Sequence, residues 1–359
     1  MPWKMGFEIE LLAPPGLSRR DLAQASAHRC GGSVERIFHQ QAEVSATPGR
    51  HVFENLTLGF KVVNAAGAPV ATFVDDLTLQ ADLAKDAAPR EGWYRIVADD
   101  ARLLRLTARH CDAAAPLHTV LAPLAALFGT SPQPHATGMV RVVDDRGASV
   151  AIGAPLPGER ERPCEIVTAP IEASHESRLQ ALLDDAAALG FTAPKEGATH
   201  IHFDGAPLQS APVFARLVNM FDSHGGALKQ LLGCNPNCVR LGAWPAALRE
   251  AVNSEAFQSM DWADAAAALN KIGLSKYCDY NVLNLVIDDP DKRTFEVRVL
   301  PTHLTAAPIM EAAQLIAAML RWCCDTGAET PAALGELIAR LALPEASRQR
   351  WRAGLAPAA

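Results

Sequence analysis

Four short stretches of this chain place ionisable residues where a strand would normally bury apolar ones. They are Glu8 and Glu10 in Met5-Gly6-Phe7-Glu8-Ile9-Glu10, Glu165 two residues before Val167, His200 and His202 in Thr199-His200-Ile201-His202-Phe203, and Glu296 and Arg298 in Phe295-Glu296-Val297-Arg298. Side chains two apart on a strand project from the same face, so each pair would share one face while its apolar neighbours take the other. A face of carboxylates repels itself and resists desolvation, so it must either lie open to water or be compensated by cations. Singly, each stretch has an ordinary reading. Glu8 and Glu10 could mark a solvated edge, and Glu165 an edge carboxylate. His200 and His202 could be one packed and one exposed imidazole, and Glu296 with Arg298 a cross-strand ion pair. Four repeats of one device favour a shared site instead. If the faces coincide, the patch needs divalent cations and anionic ligands to offset its cost.

The ligand types narrow the chemistry. Carboxylates with one or two histidines favour Mg²⁺ or Mn²⁺ over structural zinc, because hard cations prefer oxygen and keep several waters. Such a patch with an arginine is what phosphoryl transfer uses, the metals bridging phosphates while a guanidinium takes the developing charge. There is no G-x-G-x-x-G after a first strand and no G-x-x-x-x-G-K-[S/T], so a doubly wound nucleotide fold is disfavoured.

Composition excludes further classes. At 359 residues, 49% hydrophobic and 20% charged, the chain reads as globular and large enough for one big domain or two ordinary ones. A net charge of −7 with dispersed Lys and Arg argues against nucleic-acid partners. A strand starting near residue 5 leaves no room for a signal peptide, and no apolar run is long enough for a bilayer, so a cytoplasmic protein without membrane partners is expected. The eight cysteines then read as reduced thiols. Cys234 and Cys238 have a C-x3-C spacing but lack the second pair that structural zinc would need.

Along the chain, Ser18 and Asp21 signal the start of a helix that Gly31-Gly32 ends. Strands are expected at Ser33–Phe38, Val52–Val63, Val70–Val74 and Arg90–Ala98, with a turn at Asn64–Gly67. A helical region at 101–129, broken by Pro116 and Pro123, precedes a hairpin over Met139–Ile152 and a loop over Pro155–Pro163. Cys164–Thr168 and Thr199–Phe203 are further strands, with helices after Ser174 and near Pro212. Helices at Ala246–Val252 and Trp262–Lys271 lead to a hairpin with arms Asn281–Ile287 and Thr294–Leu300, joined by residues 288–292. From Ala306 the chain is helical. The fold class is α+β, a mostly antiparallel sheet with helices packed on one face.

In these motifs the chain resembles the amidoligases, carboxylate–amine ligases with a glutamine-synthetase-like fold. The resemblance rests on Gly6-Phe7-Glu8-Ile9-Glu10, Trp93–Asp100, Glu165–Pro170, His200-Ile201-His202-Phe203-Asp204, Lys276–Asn281 and Phe295-Glu296-Val297-Arg298, in that order. It covers residues 5–305, thinly between 33 and 160. It implies a ligase domain at 1–305, elaborated at about 33–160, with a helical extension at 306–359. The implied sheet is curved, its concave face holding divalent ions between ATP and an amino-acid-like substrate. By the same resemblance Glu8, Glu10, Glu165, His202 and Glu296 would be metal ligands, and His202 and His200 nucleotide contacts. Arg298 would contact phosphate, and Glu8, Glu296 and Arg298 would carry catalysis. Ala169 stands where a proline often precedes Pro170, which affects loop geometry only.

The expected reaction is ATP-dependent, phosphorylating a carboxylate so that an amine can attack the acyl phosphate and form an amide. Asp204, Asp279 and Glu54 are general-base candidates by residue type. Arg240, after the Asn235-Pro236-Asn237 turn, could hold a substrate carboxylate or phosphate, or form a structural salt bridge. The alternatives are a metal-dependent hydrolase of amides or esters and a non-catalytic metal- or nucleotide-binding protein of the same fold. Small carboxylates and amines would be the partners, and a homo-oligomer is compatible with the family.

Overall fold

Period-two alternation decides which side of each strand faces the core. In the computed structural model, which describes residues 3–43, 53–287, 289, 292–325 and 329–355, twelve strands form a mostly antiparallel sheet. In chain order they are β1 (Met5–Leu12), β2 (Ser33–Glu43), β3 (Phe53–Val63), β4 (Pro69–Val74), β5 (Tyr94–Val97), β6 (Gln133–Pro134), β7 (Val140–Val143), β8 (Ser149–Pro155), β9 (Pro163–Thr168), β10 (Ala198–Asp204), β11 (Tyr280–Asn281) and β12 (Thr294–Pro301). The chain divides into two compact units, one of Met1–Ile9, Pro170–Leu183 and Glu196–Ala359, the other of Glu10–Ala169 and Asp184–Lys195. Strand β1 contributes residues to both.

In the first unit the strand order is β11, β12, β10, β1. Phe7 and Ile9, Ile201 and Phe203, and Phe295, Val297 and Val299 are all essentially buried. The helix Ala211–Leu231 starts at Pro212 in its first turn, where a missing N–H costs nothing, and buries Phe214, Leu217, Val218 and Phe221. Phe221 packs against Phe295 and Tyr280 at ring-centroid distances of 5.0 and 4.8 Å. Each such side chain contributes roughly 1.5–3 kcal/mol. A one-residue slip of β10 would turn Ile201 and Phe203 out and the histidines in, so the apolar set fixes the register that carries the polar one. The helices Ala306–Cys324, Leu334–Arg340 and Glu345–Ala353 also belong to this unit.

In the second unit β9, β4, β3, β5, β8, β7 and β6 follow one another, with β2 paired to β3 over its whole length. The helix Arg19–Arg29 begins as the sequence predicts, the Asp21 carboxylate accepting from the Ser18 N–H at 2.8 Å and the Ser18 hydroxyl at 2.6 Å. Arg19 is completely buried. Its guanidinium donates to the carbonyls of Leu58, Arg160 and Pro163 and lies 4.6 Å from the Trp93 ring centroid. The Asn64 side chain accepts from the N–H groups of Ala66 and Ala68, and Gly67 at φ +76° completes the turn between β3 and β4.

Several expected elements differ in detail. The first predicted arm of the last hairpin, Asn281–Ile287, is a strand only at Tyr280–Asn281; Leu283–Val286 is a helical turn, because the Asn281 side chain accepts from the Leu283 N–H and turns the backbone away from extension. Within its connection, residues 288, 290 and 291 lie outside the described residues, as does Val52 of the predicted third strand. Pro123 interrupts the helical region as expected, the helix Leu117–Val120 ending before it and Ala122–Leu127 starting with it in the first turn. The strand expected at Arg90–Ala98 shortens to Tyr94–Val97, and a short helix at Glu255–Gln258 was not legible. All eight cysteines are free thiols, and Cys238 donates to the carbonyls of Glu196 and Gly197. Among the described residues no helix is long and apolar enough to cross a membrane.

Candidate metal centre

Strand pairing in the first unit gathers the polar residues in a row. Glu8 on β1 stands opposite His200 on β10, His202 opposite Glu296 on β12, and Glu296 opposite Asn281 on β11. Between Thr199 and Ile201 the pairing with β12 shifts register: Thr199 faces Leu300 but Ile201 faces Val297, so Arg298 and Val299 together oppose His200. Such a bulge re-aims a side chain, and Arg298 Nη1 donates to Glu296 Oε1 at 2.6 Å. Asn281 Nδ2 donates to the other oxygen of Glu296 at 2.7 Å.

The two histidines lie among the two carboxylates. His200 Nδ1 is 2.9 Å from Glu8 Oε2 and 3.6 Å from Glu296 Oε1. His202 Nε2 is 3.2 Å from Glu8 Oε1 and 3.8 Å from Glu296 Oε1. Its Nδ1 is 3.1 Å from the Thr294 hydroxyl. Although close to Glu8, the His202 Nε2 atom is buried and has no hydrogen-bond partner of proper geometry. Buried polar atoms are normally paired, so an orphaned ring nitrogen between carboxylates marks a place shaped for something else.

The electrostatics agree with that reading. Burial alone would lower the His202 pKa, but Glu8 and Glu296 overcome it and raise it to about 9. Burial would raise Glu8, yet the charge of His202 and the hydrogen bond from His200 hold its carboxyl well below the usual range. Glu296 is also lowered against its burial, by His202 and Arg298. A cluster that retains a proton this strongly offers the same attraction to a divalent cation. One ligand atom each from Glu8, His202 and Glu296 lies within 4.8 Å of the others, a spacing and donor set able to hold such an ion.

Glu10 and Glu165, the other two predicted ligands, come together in the second unit with Asp76, again with ligand atoms within 4.8 Å of one another. Register explains the meeting: Val74 on β4 pairs with Glu165 on β9, and Asp76 follows two residues beyond. The Asp76 side chain is held by the Thr78 N–H and hydroxyl, each donating to Oδ1 at 2.7 Å. Glu10 is buried, only 4% exposed. Asp76 escaped the sequence reading because its signal, the pair Asp75-Asp76 ending a strand, looks like an ordinary turn. Asn281 escaped it as an individual residue, although it sits inside the Lys276–Asn281 motif.

The remaining candidates have other surroundings. The Arg240 guanidinium lies 5.3 Å from the Tyr277 ring centroid, and Lys276 lies 5.4 Å from it. Asp279 is engaged structurally: Lys229 donates to it at 2.8 Å and the Gly242 N–H at 3.1 Å. Asp204 accepts from the Ala206 N–H at 3.1 Å and shapes the turn after β10. Glu54, on β3 in the second unit, accepts from Gln40.

No curated protein and no solved structure matches the chain. A family model described as "Putative amidoligase enzyme" matches residues 1–320. That span holds every strand described above, including those that carry Glu8, His202 and Glu296. The chain therefore belongs to the amidoligase family.

Proposed function

We propose that this amidoligase is an ATP-dependent carboxylate–amine ligase with a glutamine-synthetase-like fold, working through an acyl phosphate on small substrates. The observation that carries the reading is the convergence of Glu8, His202 and Glu296 around the unpaired His202 Nε2. Once His202 sheds its Nε2 proton on cation binding, with Nδ1–H kept on the Thr294 hydroxyl, Nε2 would present its lone pair beside the two carboxylates. These three residues would hold one divalent cation, Mg²⁺ or Mn²⁺, and Glu10, Glu165 and Asp76 another. When bound, such cations shield the phosphate charge that an incoming carboxylate must approach.

The protein's own groups supply the rest. Glu296 and Asn281 are locked together, and Glu296 in turn fixes Arg298, so the guanidinium is preorganised for charge on the transferred phosphoryl group. The substrate carboxylate oxygen attacks the γ-phosphorus as the bond to ADP breaks. The amine nitrogen then attacks the acyl carbon, phosphate leaves, and the nitrogen gives up a proton. His200, held against Glu8, positions that carboxylate. Arg240 over Tyr277 is a candidate contact for a substrate anion.

The test is ADP release by the full chain with Mg²⁺ and pools of small acids and amines. ADP appearing only when acid, amine and metal are all present supports ligation. Metal-dependent cleavage of an ester or amide with no nucleotide requirement identifies a hydrolase instead.

A further inference from the structure

The second unit holds a cavity of about 240 Å³ whose lining includes Lys85, Arg95, Arg160 and the apolar side chains of Leu77, Leu83 and Leu156. The ligation proposed above makes no use of it. Arg160 is neutralised in place, donating to the fully buried Asp75 carboxylate at 2.5 Å and to the carbonyls of Leu79 and Asp76 at 2.5 and 2.7 Å. Arg95 is not. It stands on β5 between the buried Tyr94 and Ile96, and its Nε is buried with no hydrogen-bond partner among the described residues. The Arg160 Nε is buried and unpaired as well. Gly158, at φ +64°, lets the loop after β8 close against the backbone at Lys85, where a Cβ would come within 3.0 Å of the Lys85 carbonyl oxygen. The cationic wall thus combines Arg95 on β5 with two closely packed loops, one carrying Lys85 and the other Arg160.

Arg95 and Lys85 line this cavity with no ion-pair partner among the described residues, so an anion seated there would meet two uncompensated cations. Positive charge within a concave, partly apolar wall also concentrates the potential felt by an incoming anion. We propose that this cavity is an oxyanion-binding site, taking the carboxylate or phosphate of a small molecule on Arg95 and Lys85. Any short apolar part of that molecule rests on Leu77, Leu83 and Leu156. The volume equals that of roughly eight water molecules, which suits the anionic end of a small metabolite. The site stands on the second unit alone and does not require the ligase reading.

The experiment is calorimetric titration of the full chain at low salt with EDTA, using inorganic phosphate in one arm and butyrate in the other. EDTA removes metal-mediated phosphate binding, and the tighter arm identifies the kind of anion. Wild type is expected to bind at least one probe, Arg95→Gln to weaken it about tenfold or more, and Lys85→Ala to weaken it about threefold. Glu8→Gln should bind as wild type does, which separates failure of this site from failure of the ligase reading. Because Lys85 is exposed, its variant decides the matter if Arg95→Gln does not fold. No binding of either probe, or binding undiminished in the folded variants, overturns the proposal.

Discussion

The two carboxylate clusters differ in how they bear their own charge. In the first unit Glu8 and Glu296 are answered by protein cations, His202 and Arg298, and Glu296 accepts two well-formed hydrogen bonds. In the second unit Glu10, Asp76 and Glu165 bring three carboxylates and no histidine, and Asp76 is held by Thr78. A buried carboxylate paired with a histidine and an arginine is part of the fold's stability, whereas three carboxylates together make a hard, all-oxygen ligand set suited to a divalent ion. The first should therefore act as both scaffold and ligand set, the second chiefly as ligand set.

The largest effect expected from that difference is on stability. Glu296→Ala leaves Arg298 and Asn281 without their shared acceptor and should cost about 3–5 kcal/mol in urea unfolding of metal-free protein. It also removes the repulsion between Glu8 and Glu296, but Glu8 is 24% exposed against 5% for Glu296, so solvent screens that smaller gain. Equal losses from Glu296→Ala and Asp76→Ala would erase the distinction between the clusters.

Next comes pH. His202 holds its proton more tightly in the fold than its ordinary 6.5, up to about 9. Its contribution to metal-free stability is complete below about 6.5 and is lost as pH rises through about 9. Over the same window metal affinity should rise, because a ligand nitrogen must shed its proton. Thermal melting at pH 6 to 10 with EDTA checks the first, with His202→Gln flattening the decline. An unchanged slope in that variant would assign the pH dependence elsewhere.

Smaller still, Thr294→Val removes the partner of His202 Nδ1 and should weaken Mn²⁺ binding about tenfold, read by titration. Smallest is Asp76→Asn, which keeps an oxygen for Thr78 and should change metal-free stability by no more than about 0.5 kcal/mol. A large loss there would make the second cluster a scaffold like the first.

Much of the first cluster was legible because strand parity is local: Glu8, His200, His202, Glu296 and Arg298 announce a shared polar face by alternation alone. What parity could not reveal is register. The bulge that sets Arg298 and Val299 opposite His200, the Asn281 bond to Glu296, and Asp76 reaching the neighbourhood of Glu165 all depend on which residues pair across strands distant in sequence. The helical turn at Leu283–Val286 was missed for a related reason. Val282, Leu283, Leu285, Val286 and Ile287 suit a strand, and one side-chain cap from Asn281 overrides that preference. Arg95 read as one strand residue among several, and only folding shows that its Nε is buried without a partner.

The proposed chemistry requires Glu8, His202 and Glu296 to hold a cation, and Mn²⁺ titration followed by electron paramagnetic resonance tests that most directly. Wild type should bind Mn²⁺ at both clusters, Glu8→Gln should lose one class of site and keep the other, and Glu10→Gln should do the converse. Mn²⁺ binding identical in Glu8→Gln and wild type, with the variant folded, would contradict it.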